Sequence, residues 1–165
     1  ELSWEAVENL QQEKVEEKIY ARVLRFINIR PRSQREIEFW FKRKLIMPEI
    51  KDRLLEKLEK IKFIDDFAFA KWWIEQRSIS RPKGRRLISF ELRQKGVARE
   101  IIDKAFENVD IPEEFELAKK LVEKKIRWLR NLPEDELREK LFGFLGRRGF
   151  PFGVIKKAID EALEK

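Results

Sequence analysis

The residues of this chain best suited to chemistry are cations set around aromatic rings. On a helical wheel of about 100° per residue, Arg86, Phe90 and Arg93 fall on the side away from Ile88 and Leu92. The positions 51 residues earlier hold Arg35, Phe39 and Lys42, again a cation, a phenylalanine and a cation. Guanidinium and ammonium groups hold phosphates or carboxylates, and a ring between them stacks on a base or anchors a protein surface. Arg81, Lys83 and Arg85 carry the second triplet into the loop before it, and between residues 77 and 99 eight basic groups face only Glu91. Two plainer readings fit the same residues. The phenylalanines can pack between repeats while the long cations lie around them, and the cations can be a solvated face.

Other chemistry has little to stand on. The chain has no Cys and no His, which removes disulfides, thiol nucleophiles, zinc fingers and every histidine mechanism. Asp65-Asp66 lacks further ligands nearby and reads as a helix cap rather than a metal site. Lys83-Gly84 lacks the earlier glycine of a phosphate-binding loop, and Gly143, Gly146 and Gly149 follow no strand, so no dinucleotide fingerprint is implied. We therefore expect no catalytic residue, no metal and no cofactor. The basic run Lys119, Lys120, Lys124, Lys125, Arg127 and Arg130 spreads around its helix, with Glu116 and Glu123 able to pair, and reads as a solvated face. Charged residues make up 42% of the chain, against roughly 25% in ordinary soluble domains. The Lys/Glu/Arg excess suits a thermophile. No apolar run is long enough to span a membrane and no signal-peptide pattern opens the chain, so a cytoplasmic monomer is expected.

Few Gly, few Pro and apolar residues three or four apart predict helix nearly throughout. Pro31, Pro48, Pro112 and Pro133, the Ser33/Glu36 capping-box pattern and Gly96 and Gly149 divide the chain into nine helices. These fall into three sets of three. A 51-residue shift lays Ile88 on Ile37, Leu92 on Phe41, Val97 on Ile46 and Ala105 on Leu54. A 53-residue shift lays Ile88 on Leu141, Leu92 on Leu145, Gly96 on Gly149, Val97 on Phe150 and Ala105 on Ala158. The match runs without a gap through a helix, a turn and the next helix. The fold expected is all-α: three tandem three-helix, helix-turn-helix-like repeats in an elongated, curved array. The divisions are an acidic helical extension at 1–19, then repeats at 20–64, 65–110 and 111–165. Their net charges are −4, +7, +2 and +2, so the first repeat carries the basic excess. The cation–Phe–cation triplet is lost from the third repeat, where Glu139, Gly143 and Gly146 take its places.

Three segments resemble the RecX family. Asp65-Asp66-Phe67-Ala68-Phe69-Ala70 resembles its D-D-x-x-F-A segment. Arg77, Lys83-Gly84 and Glu91-Leu92-Arg93-Gln94-Lys95-Gly96 resemble its R…KG…EL-R-x-K-G segment. Arg32-Ser33 and Glu36-Ile37 resemble its R-S-x-x-E-L segment. The likeness covers roughly residues 15–163 and is strongest in the middle repeat. Leu45 departs from it, standing where a counterpart of Gly96 is expected. The resemblance implies a non-enzymatic regulator of the RecA recombinase in homologous recombination, DNA repair and the SOS response. Such proteins bind the RecA filament on DNA, with single-stranded DNA met through or beside RecA, and reduce ATPase and strand exchange. The residues expected to touch the partner are Arg35, Phe39 and Lys42 with Arg86, Phe90 and Arg93, supported by Arg81, Lys83 and Arg85. A helical-repeat DNA-binding protein acting without RecA, or a protein scaffold, also fits the residues alone.

Overall fold

The computed structural model describes residues 2–164, and among them every regular element is a helix. In chain order these are α1 (Trp4–Ile29), α2 (Gln34–Arg43), α3 (Pro48–Lys60), α4 (Asp66–Ile79), α5 (Arg85–Gln94), α6 (Arg99–Glu107), α7 (Glu114–Ile126), α8 (Glu134–Arg147) and α9 (Phe152–Leu163). The fold is an all-α helical repeat. It forms two compact units, one up to Phe69 and one from Ala70 onward, a division that falls within α4.

The turn between the second and third helices of each set repeats atom for atom. Ile46 donates its backbone N–H to Phe41 at 3.2 Å, Val97 to Leu92 at 3.0 Å and Phe150 to Leu145 at 3.3 Å. Each bond spans five residues and closes a helix whose last carbonyls lack intrahelical donors. The residue before each donor sits in left-handed backbone: Gly96 at φ 82°, Gly149 at φ 86° and Leu45 at φ 55°. Glycine adopts this region freely. Leucine does so at a cost of roughly 1 kcal/mol. The missing glycine of the first repeat therefore leaves the turn intact and puts strain at Leu45. The inward positions follow the same registers. Ile37, Ile88 and Leu141 are buried, as are Phe41, Leu92 and Leu145, and Leu54, Ala105 and Ala158.

In the first unit, Ile19 and Val23 of α1 close a core with Ile37, Trp40, Phe41, Leu54 and Leu58. α1 runs unbroken through residues 19 and 20, so the acidic extension and the first repeat share one helix. Its apolar stripe is covered only in that second half; Trp4, Leu10 and Val15 stay exposed. Ser33 caps α2 as a full capping box, its Oγ accepting from Glu36 N–H at 3.2 Å while Glu36 accepts from Ser33 N–H at 3.0 Å. The two aspartates of the Asp65-Asp66 pair do separate work. Asp65 accepts from Ala68 N–H at 3.0 Å and caps its own helix, and Asp66 accepts from Gln34 N–H at 2.9 Å and serves the first turn of α2.

In the second unit, α5 lacks a side-chain cap of its own because Gly84 is its N-cap. Two neighbours replace it. Glu114, the first residue of α7, accepts from Arg85 N–H at 3.3 Å, the counterpart of Asp66 on α2. The Gly84 N–H donates to the Arg148 carbonyl at 2.7 Å. This bond brings two backbones so close that a Cβ on Gly84 would lie 2.2 Å from the Gly149 carbonyl oxygen. The third-repeat core of Leu117, Ala118, Val122, Leu141, Leu145 and Ile155 sits behind that contact. Gly84→Ala is therefore expected to lower the unfolding free energy in urea by roughly 1–3 kcal/mol through overpacking. Gly146→Ala, with nothing within 4 Å of its Cβ, should be neutral or slightly stabilising because alanine favours helix. Equal effects of the two would contradict the close-approach account.

Candidate partner interface

α2 and α5 each bury one side and show the other. On α2, Ile37 and Phe41 point inward, and Arg35, Phe39 and Lys42 lie exposed on the other side. On α5, Ile88 and Leu92 point inward, and Arg86, Phe90 and Arg93 are exposed. The sequence left open whether the two rings pack between repeats. Phe39 is 57% and Phe90 51% exposed, too open for a core role. Among the described residues, none of Arg35, Lys42, Arg86 and Arg93 has an ion pair or side-chain hydrogen bond. The α2 face continues into a groove edged by Leu45, Met47 and Lys51, with Leu45 89% exposed. The strained turn thus holds a leucine out in solvent beside Phe39.

The three supporting cations are placed differently from one another. Lys83 is half-buried and bonded to Glu91. Arg85 reaches Asp103 at 3.4 Å and lies 4.5 Å over the Phe106 ring. Both are held by internal partners. Arg81 is exposed and edges a separate cleft of the second unit. Sequence reasoning missed that cleft, whose aromatic residues are Trp128 and Phe144. The signal was present as Lys124, Lys125 and Trp128, two cations in the last turn of α7 and a ring just past its end. The basic run of α7 also departs from expectation. Lys119 approaches Glu161 at 3.9 Å rather than a glutamate of its own helix, and Lys125 lies 5.1 Å over the Phe144 ring.

Glu91 holds the α5 face in position. Its Oε2 accepts from the Trp73 indole N–H at 2.9 Å and from Arg77 Nε at 3.1 Å, and its Oε1 takes Lys83. Arg77 also lies 4.1 Å over the Trp73 ring. Burial pushes the Glu91 carboxyl up, but the bonds from Lys83, Trp73 and Arg77 together bring it below its ordinary value. Asp66 and Glu114, the two helix-capping acids, are raised instead. Burial is the main cause in each, opposed by the N–H of Gln34 in one and of Arg85 in the other. No cluster of three or more potential metal ligands occurs among the described residues. Among the described residues no helix is long and apolar enough to cross a membrane.

This architecture has close relatives. Residues 65–105 match the second three-helix domain of RecX, and residues 112–159 match its third three-helix domain. The regulatory protein RecX of Streptomyces coelicolor is 34% identical over 142 residues, which cover 86% of this chain and 76% of that protein. This chain belongs to the RecX family. A crystal structure of regulatory protein RecX superposes with a TM-score of 0.79 at 30% identity, covering 97% of this chain and 80% of the other. The RecX of Lactobacillus salivarius shares the fold, with a TM-score of 0.76 at 21% identity over 88% of this chain and 95% of its own. In the RecX-like R…KG…EL segment, Arg77, Lys83 and Glu91 are the members of one internal ion-pair network. That part of the family pattern builds the α5 face, and the exposed arginines flank it.

The Glu91 network carries a pH signature. A carboxyl depressed in the folded state adds stability that is complete above the ordinary glutamate value and is lost as pH falls through the lower folded value. Urea unfolding between pH 7 and pH 3 should show a drop in stability, and Glu91→Gln should flatten part of it while lowering stability at pH 7. A variant with the full acid-induced drop would contradict the role given to Glu91.

Proposed function

We propose that this chain regulates the RecA recombinase by lying on the RecA–DNA filament through the outward faces of α2 and α5. The proposal rests on the exposed cation–Phe–cation sets of these two helices, whose four cations lack internal partners among the described residues. It is supported by the relatives' name, regulatory protein RecX. Arg35, Lys42, Arg86 and Arg93 meet carboxylates of RecA or phosphates of the DNA beside it. Phe39 and Phe90 serve as the apolar anchors that commonly dominate such contacts. Arg81 adds charge at the edge of the second face, while Lys83 and Arg85 position it. The chain is used as an extension, 1–19, followed by repeats at 20–64, 65–110 and 111–165.

Regulation follows from binding and needs no catalytic group. A ligand shifts an equilibrium only by its difference in affinity for the states involved. A protein that prefers one filament state over another slows ATP turnover and strand exchange by holding RecA in that state. The test is RecA ATPase on single-stranded DNA with this protein titrated in. Inhibition is expected for the wild type. Arg86→Glu with Arg93→Glu should raise the concentration needed by about tenfold or more, the loss of roughly 1.4 kcal/mol of binding. Both residues are exposed, so the fold should survive, as a thermal melt would show. A folded double variant that inhibits as well as the wild type would rule out the α5 face.

A further inference from the structure

The second unit holds a basic, aromatic cleft that shares only Arg81 with the α5 face. It is lined by Arg81 from the loop before α5, Lys124 and Lys125 from α7, Trp128 just beyond α7, and Phe144 and Arg148 from α8 and its end. Its volume is about 280 Å³. Among the described residues no carboxylate lines it, so four cations face one space without compensation from these walls. The two rings differ in what they offer. Phe144 is spoken for, with Lys125 Nζ at 5.1 Å and the Arg148 guanidinium at 5.1 Å from its centroid. It fixes two of the cations by cation–π attraction. Trp128 is 81% exposed and has no ring or cation partner among the described residues.

We infer that this cleft binds single-stranded nucleic acid, a phosphodiester among Arg81, Lys124 and Arg148 with a base stacked on Trp128. Charge complementarity selects a polyanion, since four uncompensated cations repel one another until an anion enters. The free indole selects the kind of polyanion. An acidic peptide would satisfy the cations and leave Trp128 in water, whereas a nucleotide brings a π-face with every phosphate. The size is consistent with this. A cleft near 280 Å³ lies below the roughly 300–1,000 Å³ of pockets that enclose a small molecule, and suits one unit of a chain passing through. Duplex DNA keeps its bases stacked inside and offers the indole no face, so the single strand is preferred. The cleft owes its shape to the contact of Gly84 with Arg148, which carries the Arg81 loop to the end of α8.

The inference does not depend on RecA, and its test omits it. Anisotropy of a fluorescein-labelled oligothymidylate is titrated with the full chain at several salt concentrations. The wild type should bind, with affinity falling steeply as salt rises. Lys124→Glu with Arg148→Glu should bind at least about tenfold more weakly and lower the salt slope by roughly one to two. Trp128→Ala should bind about fivefold to a hundredfold more weakly, the effect expected of one lost stack, with the salt slope unchanged. Lys18→Glu with Arg99→Glu, a charge-matched pair outside the cleft, should bind like the wild type. No binding by the wild type would overturn the inference. So would equal loss in the charge-matched control, insensitivity to Trp128, or tighter binding to polyglutamate than to the oligonucleotide. The variants read here leave the α5 face intact and the assay contains no RecA, so failure of the RecA reading and failure of this one are separately visible.

Discussion

Much of the second unit depends on one backbone contact, where Gly84 meets Gly149. The bond from Gly84 N–H to the Arg148 carbonyl is short, at 2.7 Å, and leaves no room for a side chain on Gly84. At the same place Gly149 needs left-handed backbone to end α8 and faces Leu87 of α5. Two glycines thus serve three tasks: they start one helix, stop another and let the two repeats touch. Each is required for a different reason, one by space and one by dihedral angle as well.

The cations named for the two faces and their surroundings divide into two populations. Lys83 and Arg77 are drawn inward by Glu91, where partial burial gives their pairing more value than a solvated salt bridge has, while Arg85 reaches Asp103 in an exposed pair and lies over the Phe106 ring. Arg35, Lys42, Arg81, Arg86 and Arg93 are left outside with neither carboxylate nor core to engage. A net charge of +7 is therefore a poor guide to which cations meet a partner. The useful distinction is made by the acids, which are few in this region and already committed. Glu91 engages three donors, and Glu114 and Asp66 are each occupied with the first turn of a middle helix.

The repeat was legible because helical periodicity and turn chemistry point to the same registers. Glycine at 96 and 149 announced left-handed turns, and buried Ile88 and Leu92 follow from their spacing on α5. The outward direction of Phe39 and Phe90 also followed from the wheel, but their exposure did not. Periodicity gives a direction, while burial depends on what packs against it. Lys83 and Arg85 illustrate the same limit: their partners Glu91 and Asp103 lie eight and 18 residues away, beyond any helical neighbour rule. The crossing caps were invisible for this reason too, since Asp66 and Glu114 reach 32 and 29 residues back. The Trp128 cleft was hidden because it gathers a loop, a helix end and the close of another helix, each unremarkable alone. Leu45 was seen as a departure from pattern, and the structure gives it meaning as a strained, exposed leucine beside Phe39.

The central claim is that the α2 and α5 faces contact RecA. Photo-crosslinking from benzoylphenylalanine placed singly at positions 39, 90 and 152 tests it most directly, Phe152 being an exposed phenylalanine outside both faces. With RecA filaments on single-stranded DNA, positions 39 and 90 should crosslink to RecA and position 152 should not. Absence of crosslinks from 39 and 90, or equal crosslinking from 152, would contradict the account.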